Sequence, residues 1–202
     1  ASRAFAGTPT DAQILQTNAS IEVIAVSTYK TALTLPYIGG SSANPVIKAF
    51  CTTTMGQHEE HLKAFNAALS ALGAKTQDKP DPVLVPIVKK AVKKITSSSP
   101  AKGAARVVDL ALELEDGAAE TYIVALAALK DDNAKKLTAS IMGVEAQHAA
   151  VLRAVKALLA DPSLIALPPN VPALPSAAGS VGFPDAFFHT DHALSLTSGA
   201  LS

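Results

Sequence analysis

The 202 residues are enough to bury a substantial core as one domain. Lys plus Arg and Asp plus Glu balance at 17 each, so no net field draws nucleic acid or an anionic membrane surface. The hydrophobic share of 49% is rich in alanine and broken by polar residues within every bilayer-length span, which leaves no transmembrane helix, and the single Cys51 excludes an internal disulfide and a Cys-rich metal site.

Punctuation and period predict four long helices. Thr8-Pro9, Asn44-Pro45 and Ser99-Pro100 each set a capping residue before a proline suited to a first helical turn. The first helix is predicted from about Pro9 to Leu33, the second from about Pro45 to Leu72 with Gly73 as its stop, and the third from about Ala101 to Leu129. The fourth starts at the caps offered by Asp131, Asp132 and Asn133 and runs to about Ala160, before Asp161-Pro162. Short links within the first and last pairs predict two antiparallel hairpins. Residues 73–99 form a long crossover with a short helix near Pro82 to Ile95, whose Lys89, Lys90, Lys93 and Lys94 form a solvated stripe opposite Val88, Val92 and Ile95.

The chain repeats a chemical pattern. Glu22 followed by Tyr29 recurs as Glu115 followed by Tyr122 at an offset of 93, and the segment from Met55 through His58 to His61 recurs from Met142 through Glu145 to His148 at an offset of 87. Each of these polar residues falls on the apolar stripe of its helix: Leu15, Glu22, Ala25, Val26, Tyr29 and Leu33 in the first; Phe50, Thr54, His58, His61, Phe65 and Leu72 in the second. The third and fourth stripes carry Glu115 with Tyr122 and Glu145 with His148. Ionised carboxylates inside a bundle are expensive without a cation beside them, and no lysine or arginine shares these stripes. Glu22, His58, His61, Glu115, Glu145 and His148 are therefore the candidate ligands of a pair of divalent metal ions, with Tyr29 and Tyr122 beside it.

With these residues in view, residues 9–160 resemble the ferritin-like superfamily, and more narrowly the bacterial ferritin-like domain proteins related to rubrerythrin and to desiccation-related proteins. The resemblance implies an all-α, ferritin-like four-helix bundle over 1–160 and a di-iron or di-manganese centre. It also implies an oxidoreductase of the ferroxidase, peroxidase or catalase type acting on iron, peroxide or oxygen, in which Tyr29 and Tyr122 steady or reduce the centre. In such proteins each single glutamate is joined by Glu-x-x-His pairs. Glu22, Glu115, Glu145, His148 and His61 match that set, whereas His58 stands where a glutamate is expected. Three carboxylates under two divalent ions leave net positive charge, which disfavours an Fe(III) pair and favours manganese or a mixed site. Neighbouring Glu59 could replace the absent carboxylate only from about 100° around the helix. The alternative is an accessory or structural subunit with a degenerate site that joins a larger assembly.

Residues 161–202 read as an extended Pro-rich tail, with Phe183, Phe187 and Phe188 as apolar anchors on the bundle, a second copy of the chain or a protein partner. His189 and His192 form a weak metal signal without helical support. The initial Ala1 fits either removal of an initiator methionine or signal-peptide cleavage; an exported, periplasmic or extracytoplasmic location is set ahead of a cytoplasmic one.

Overall fold

The computed structural model describes residues 8–41, 43, 45–160 and 185–201, those at 46 and 158–160 by their backbone alone. Five helices are described: α1 (Asp11–Leu33), α2 (Pro45–Ala71), α3 (Leu84–Thr96), α4 (Pro100–Ala128) and α5 (Asp132–Ala160). The first begins two residues beyond Pro9, because Thr10 and Gln13 form a reciprocal capping box that sets the N-terminus there. The second ends where Gly73 takes φ +67° and the Ala74 N–H reaches back to the Leu69 carbonyl at 2.9 Å. Leu72, expected on the inward stripe, is instead 43% exposed, because the helix has already closed with this left-handed turn. Ser99 occupies the N-cap position of α4 without a side-chain bond, and Asp131 caps α5 by accepting from the Ala134 N–H at 2.8 Å. Asn44 and Asp161-Pro162, which the sequence assigns to helix ends, lie outside the described residues.

The helices close into a ring in which α1 packs chiefly along α2 and α4 along α5, with α1 against α4 and α2 against α5 completing the square. Tyr29 of α1 meets Glu115 of α4 while Tyr122 of α4 meets Glu22 of α1, so these two helices run in opposite directions. The link from α2 to α4 must therefore climb the bundle, and α3 lies in that climb against α1 and α4. Two hairpins joined by a long crossover is the connectivity expected from the sequence. Val88 and Ile95 of α3 are buried while Lys89, Lys90, Lys93 and Lys94 are exposed, as the stripe predicted.

Two apolar clusters hold the bundle. One joins Ile14, Leu15, Phe65, Leu69 and Tyr122; the other joins Ile24, Ile38, Val107, Leu110 and Leu152. The glutamates and histidines lie at the level between them.

The described part of the tail lies on the bundle, but by another means than expected. Phe187 is 85% exposed and Phe188 36%, while Phe183 lies outside the described residues. The segment from His192 to Leu201 is held by polar side chains of α1 and α4 and by Gln77 and Asp81 of the crossover, with Leu194 and Leu196 packed against the core. Thr17 Oγ1 donates to the Leu196 carbonyl at 3.0 Å and accepts from the Gly199 N–H at 3.2 Å. Gln16 accepts from Leu201 at 3.0 Å, Thr121 from Leu194 at 3.0 Å and Glu120 from His192 at 2.7 Å. Gly199 lies so near Ser20 and the Thr17 backbone that a side chain there would collide with α1. Backbone groups of an irregular segment need partners once covered, and α1, α4 and Gln77 of the crossover supply them with hydroxyl, amide and carboxylate side chains.

Candidate metal centre

α1 and α4 each contribute a glutamate and, two turns on, a tyrosine to the middle of the bundle, and α2 and α5 each contribute two residues one turn apart. Glu22, Glu115 and Glu145 are buried, as are His58 and His148, and His61 is nearly so with its side chain 12% exposed. All six inward positions expected from the stripes are inward. Glu59 is exposed and supplies no fourth carboxylate, because one residue along α2 turns it out of the core.

His58 sits at the centre of the cluster. Its Nδ1 is 2.7 Å from Glu22 Oε2 and its Nε2 is 3.3 Å from Glu115 Oε1, with Glu145 Oε1 at 3.7 Å from Nδ1. An imidazole with a carboxylate at each nitrogen can satisfy both only by donating from both, which makes it an imidazolium. Burial alone would lower its pKa, but the charges of Glu115 and Glu145 and the bond to Glu22 raise it well above the usual histidine value.

The flanking histidines behave alike. His61 Nδ1 lies 2.8 Å from Glu145 Oε1 and 3.6 Å from Glu22 Oε2. Burial opposes its protonation, yet these carboxylates push it up to about 9. His148 Nδ1 lies 3.2 Å from Glu115 and 3.3 Å from Glu145, and against the same burial penalty they push it up to about 9. Its Nε2 is 2.8 Å from the Gln57 side-chain oxygen. Sequence reading missed Gln57, which is exposed and lies off the apolar stripe of α2; only its place three residues after the buried Thr54 and one before His58 hints at its reach.

Among the acids, burial raises all three, and the histidines decide the outcome. They hold Glu22 below and Glu115 well below the usual carboxylate range, whereas Glu145, with Glu22 and Glu115 charged nearby, is pushed up to about 7. Tyr29 donates to Glu115 at 2.6 Å and Tyr122 donates to Glu22. Burial first, and these carboxylates second, raise both phenols well above their ordinary range, so they remain protonated donors.

The donors fall into two groups. Glu22, His58, His61 and Glu145 offer ligand atoms within 4.8 Å of one another, and so do His58, Glu115, Glu145 and His148. Glu145 and His58 belong to both. His61 Nδ1 and Glu145 Oε1, though 2.8 Å apart, are not aligned as a hydrogen bond, and neither has a hydrogen-bond partner among the described residues. Two buried, unsatisfied donor atoms converging on one point fit a cation between them, so these residues suit a metal ion by geometry and by chemistry. Among the described residues His189 and His192 join no such group; His192 is tied to Glu120 and His189 lies 3.7 Å from Asp185, both at the surface.

An antiparallel ring of four helices with a shared carboxylate and histidine cluster at mid-height defines the class of protein. Residues 10–157 match the family of the ferritin-like domain, and the chain belongs to that family. Searches of the curated proteins and of the solved structures found no match. No described helix is long and apolar enough to cross a membrane.

Proposed function

We propose that this chain binds two transition-metal ions, iron or manganese, and acts as an oxidoreductase on iron, peroxide or oxygen. The observation that carries this reading is the pair of four-residue donor groups sharing Glu145 and His58 in a core whose described interior holds no lysine or arginine. Glu22 and His61 would hold one ion, Glu115 and His148 the other, with Glu145 between them. His58 presents Nδ1 to the first group and Nε2 to the second. When bound, such ions supply redox cycling that these side chains lack. The residues then have separate tasks. Tyr29 and Tyr122 each engage one oxygen of Glu115 and Glu22 and so orient the carboxylates, and Gln57 fixes the ring of His148. Each phenol also faces a carboxylate that can accept its proton if it yields an electron to the centre.

Metal loading has to displace protons. The three histidines are protonated near neutrality in the cluster as it stands, and an imidazole must be neutral to ligate. This observation supports a second reading, in which the three imidazolium groups neutralise the acids and the bundle serves as an accessory subunit. The test is metal content per chain after purification without chelators, followed by titration with Fe(II) and Mn(II) above pH 7. Two ions per chain support the oxidoreductase reading. Fewer than one, with the fold intact, supports the accessory one.

A further inference from the structure

Between α1, α3 and α4 lies a cavity of about 40 Å³ that ends on His58, Glu115 and Tyr29. Its outer end is marked by the exposed Thr31 and Thr96, and α3 forms its roof with Val92 and Ile95. Resting on the two-metal reading above, we propose that this chamber takes up dioxygen and holds it beside the centre, which makes dioxygen rather than peroxide or free iron the species delivered along this face.

Size and wall chemistry both select. One water needs on the order of 10–15 Å³ of such volume, so the chamber has room for a diatomic molecule but not for an organic substrate, since a benzene-sized ligand needs about 150 Å³. Ile24, Ala25, Ala111 and Val107 present carbon to it. The threonines in the wall offer little more, because their hydroxyls are already committed to their own helices: Thr28 donates to the Ile24 carbonyl at 2.7 Å, Thr31 to Ser27 at 2.8 Å and Thr96 to Val92 at 3.1 Å. At the inner end the Tyr29 hydroxyl is spent on Glu115. Peroxide would leave its hydrogen bonds to water without replacement, and a hydrated divalent ion would lose far more. Dioxygen gives up almost nothing on entering such a wall.

The chamber can be tested on the full chain without metal. Under dioxygen pressure, paramagnetic relaxation of the Ala25 and Ala111 methyls should exceed severalfold that of Leu129 and Ile141, which are comparably buried in the other cluster. Ala111→Leu should abolish the excess by filling the space, and Ile95→Ala should increase it by opening the roof. The second variant keeps the test decisive if the first fails to fold. In the metal-loaded chain, Ala111→Leu should slow oxidation by dioxygen about tenfold while leaving oxidation by peroxide within a factor of two. No excess relaxation at Ala25 and Ala111, or an excess with unchanged dioxygen kinetics in Ala111→Leu, overturns the proposal. A chain that retains no metal defeats the oxidoreductase reading instead, and the relaxation measurement then decides the chamber alone.

Discussion

The two halves of the centre differ at one position. Glu22 with His61 and Tyr29 in one half mirrors Glu115 with His148 and Tyr122 in the other, and each tyrosine crosses to the other half's glutamate. At the remaining pair, α2 carries His58 where α5 carries Glu145. A second carboxylate at position 58 would put four acids in one dry core; the histidine instead lies within 3.7 Å of all three others and sets one positive charge among them. A duplicated bundle can thus reverse one charge without loss of fold, because the opposite helices already supply the counter-charge.

The comparison breaks most severely if either flanking acid is removed. Glu22→Leu or Glu115→Leu leaves buried imidazolium groups unpaired and should cost about 3–5 kcal/mol, which for a chain of this size lowers Tm by roughly 10 °C. Calorimetry in which either variant melts within about 2 °C of the parent would show that its half carries no such pairing.

His58→Glu restores the symmetry and should act in opposite directions with and without metal. The metal-free variant confronts four buried acids and should lose on the order of 3 kcal/mol. With metal it should hold Fe(III) more tightly and oxidise Fe(II) about tenfold faster in stopped flow. A variant as stable as the parent with unaltered metal binding would refute both arms.

Proton linkage sharpens the same contrast. His61 and His148 release their protons near 6.5 in the unfolded chain and at about 9 in the folded one, so their stabilisation is full below 6.5 and is lost as the pH rises through 9. Glu145, at about 7 folded against 4.5, loses its own contribution earlier in the same direction. Metal-free protein should therefore weaken by on the order of 1–2 kcal/mol per pH unit above 6.5, while metal affinity rises over that window as protons leave the ligands. Glu22 and Glu115, held low, produce the opposite loss in acid. Melting curves from pH 4 to pH 10, with and without Mn(II), check both limbs; a metal-free Tm that is flat from 6.5 to 9 would contradict the protonated histidines.

The smallest effect concerns what covers the two helices. Thr17 of α1 corresponds, at the offset of 93, to Leu110 of α4; the threonine meets the C-terminal segment through hydrogen bonds, and the leucine is buried in the apolar cluster beneath α3. Thr17→Val should cost about 1–2 kcal/mol by leaving the Leu196 carbonyl and Gly199 N–H unpaired. Faster amide exchange confined to residues near Gly199 is the expected signature, and unchanged protection there would show that the segment is held without Thr17.

Much of the cluster was legible because polar residues hold the inward positions of the helical period. Glu22, Glu115, Glu145, His58, His61 and His148 stand where leucines belong, and burial and period are local properties of a helix. Gly73 and Pro45 were legible for the same reason, since caps act within a turn. Phe187 and Phe188 do not anchor the tail on the bundle, and the bonds that do hold it join residues such as Thr17 and Leu196, with no spacing rule to reveal them. Gln57 was hidden likewise, its partner being 91 residues away.

By itself the sequence determined which residues lie inward on each helix, because 3.6 residues per turn converts spacing into a face. Only the tertiary structure decided which of those groups meet: that His58 is shared by both carboxylate groups, that each tyrosine serves the opposite glutamate, and that α3 leaves a small apolar chamber at the centre's edge. Such pairings depend on the rotation and height of one helix against another, and those follow from the packing of whole faces rather than from any residue's local preference.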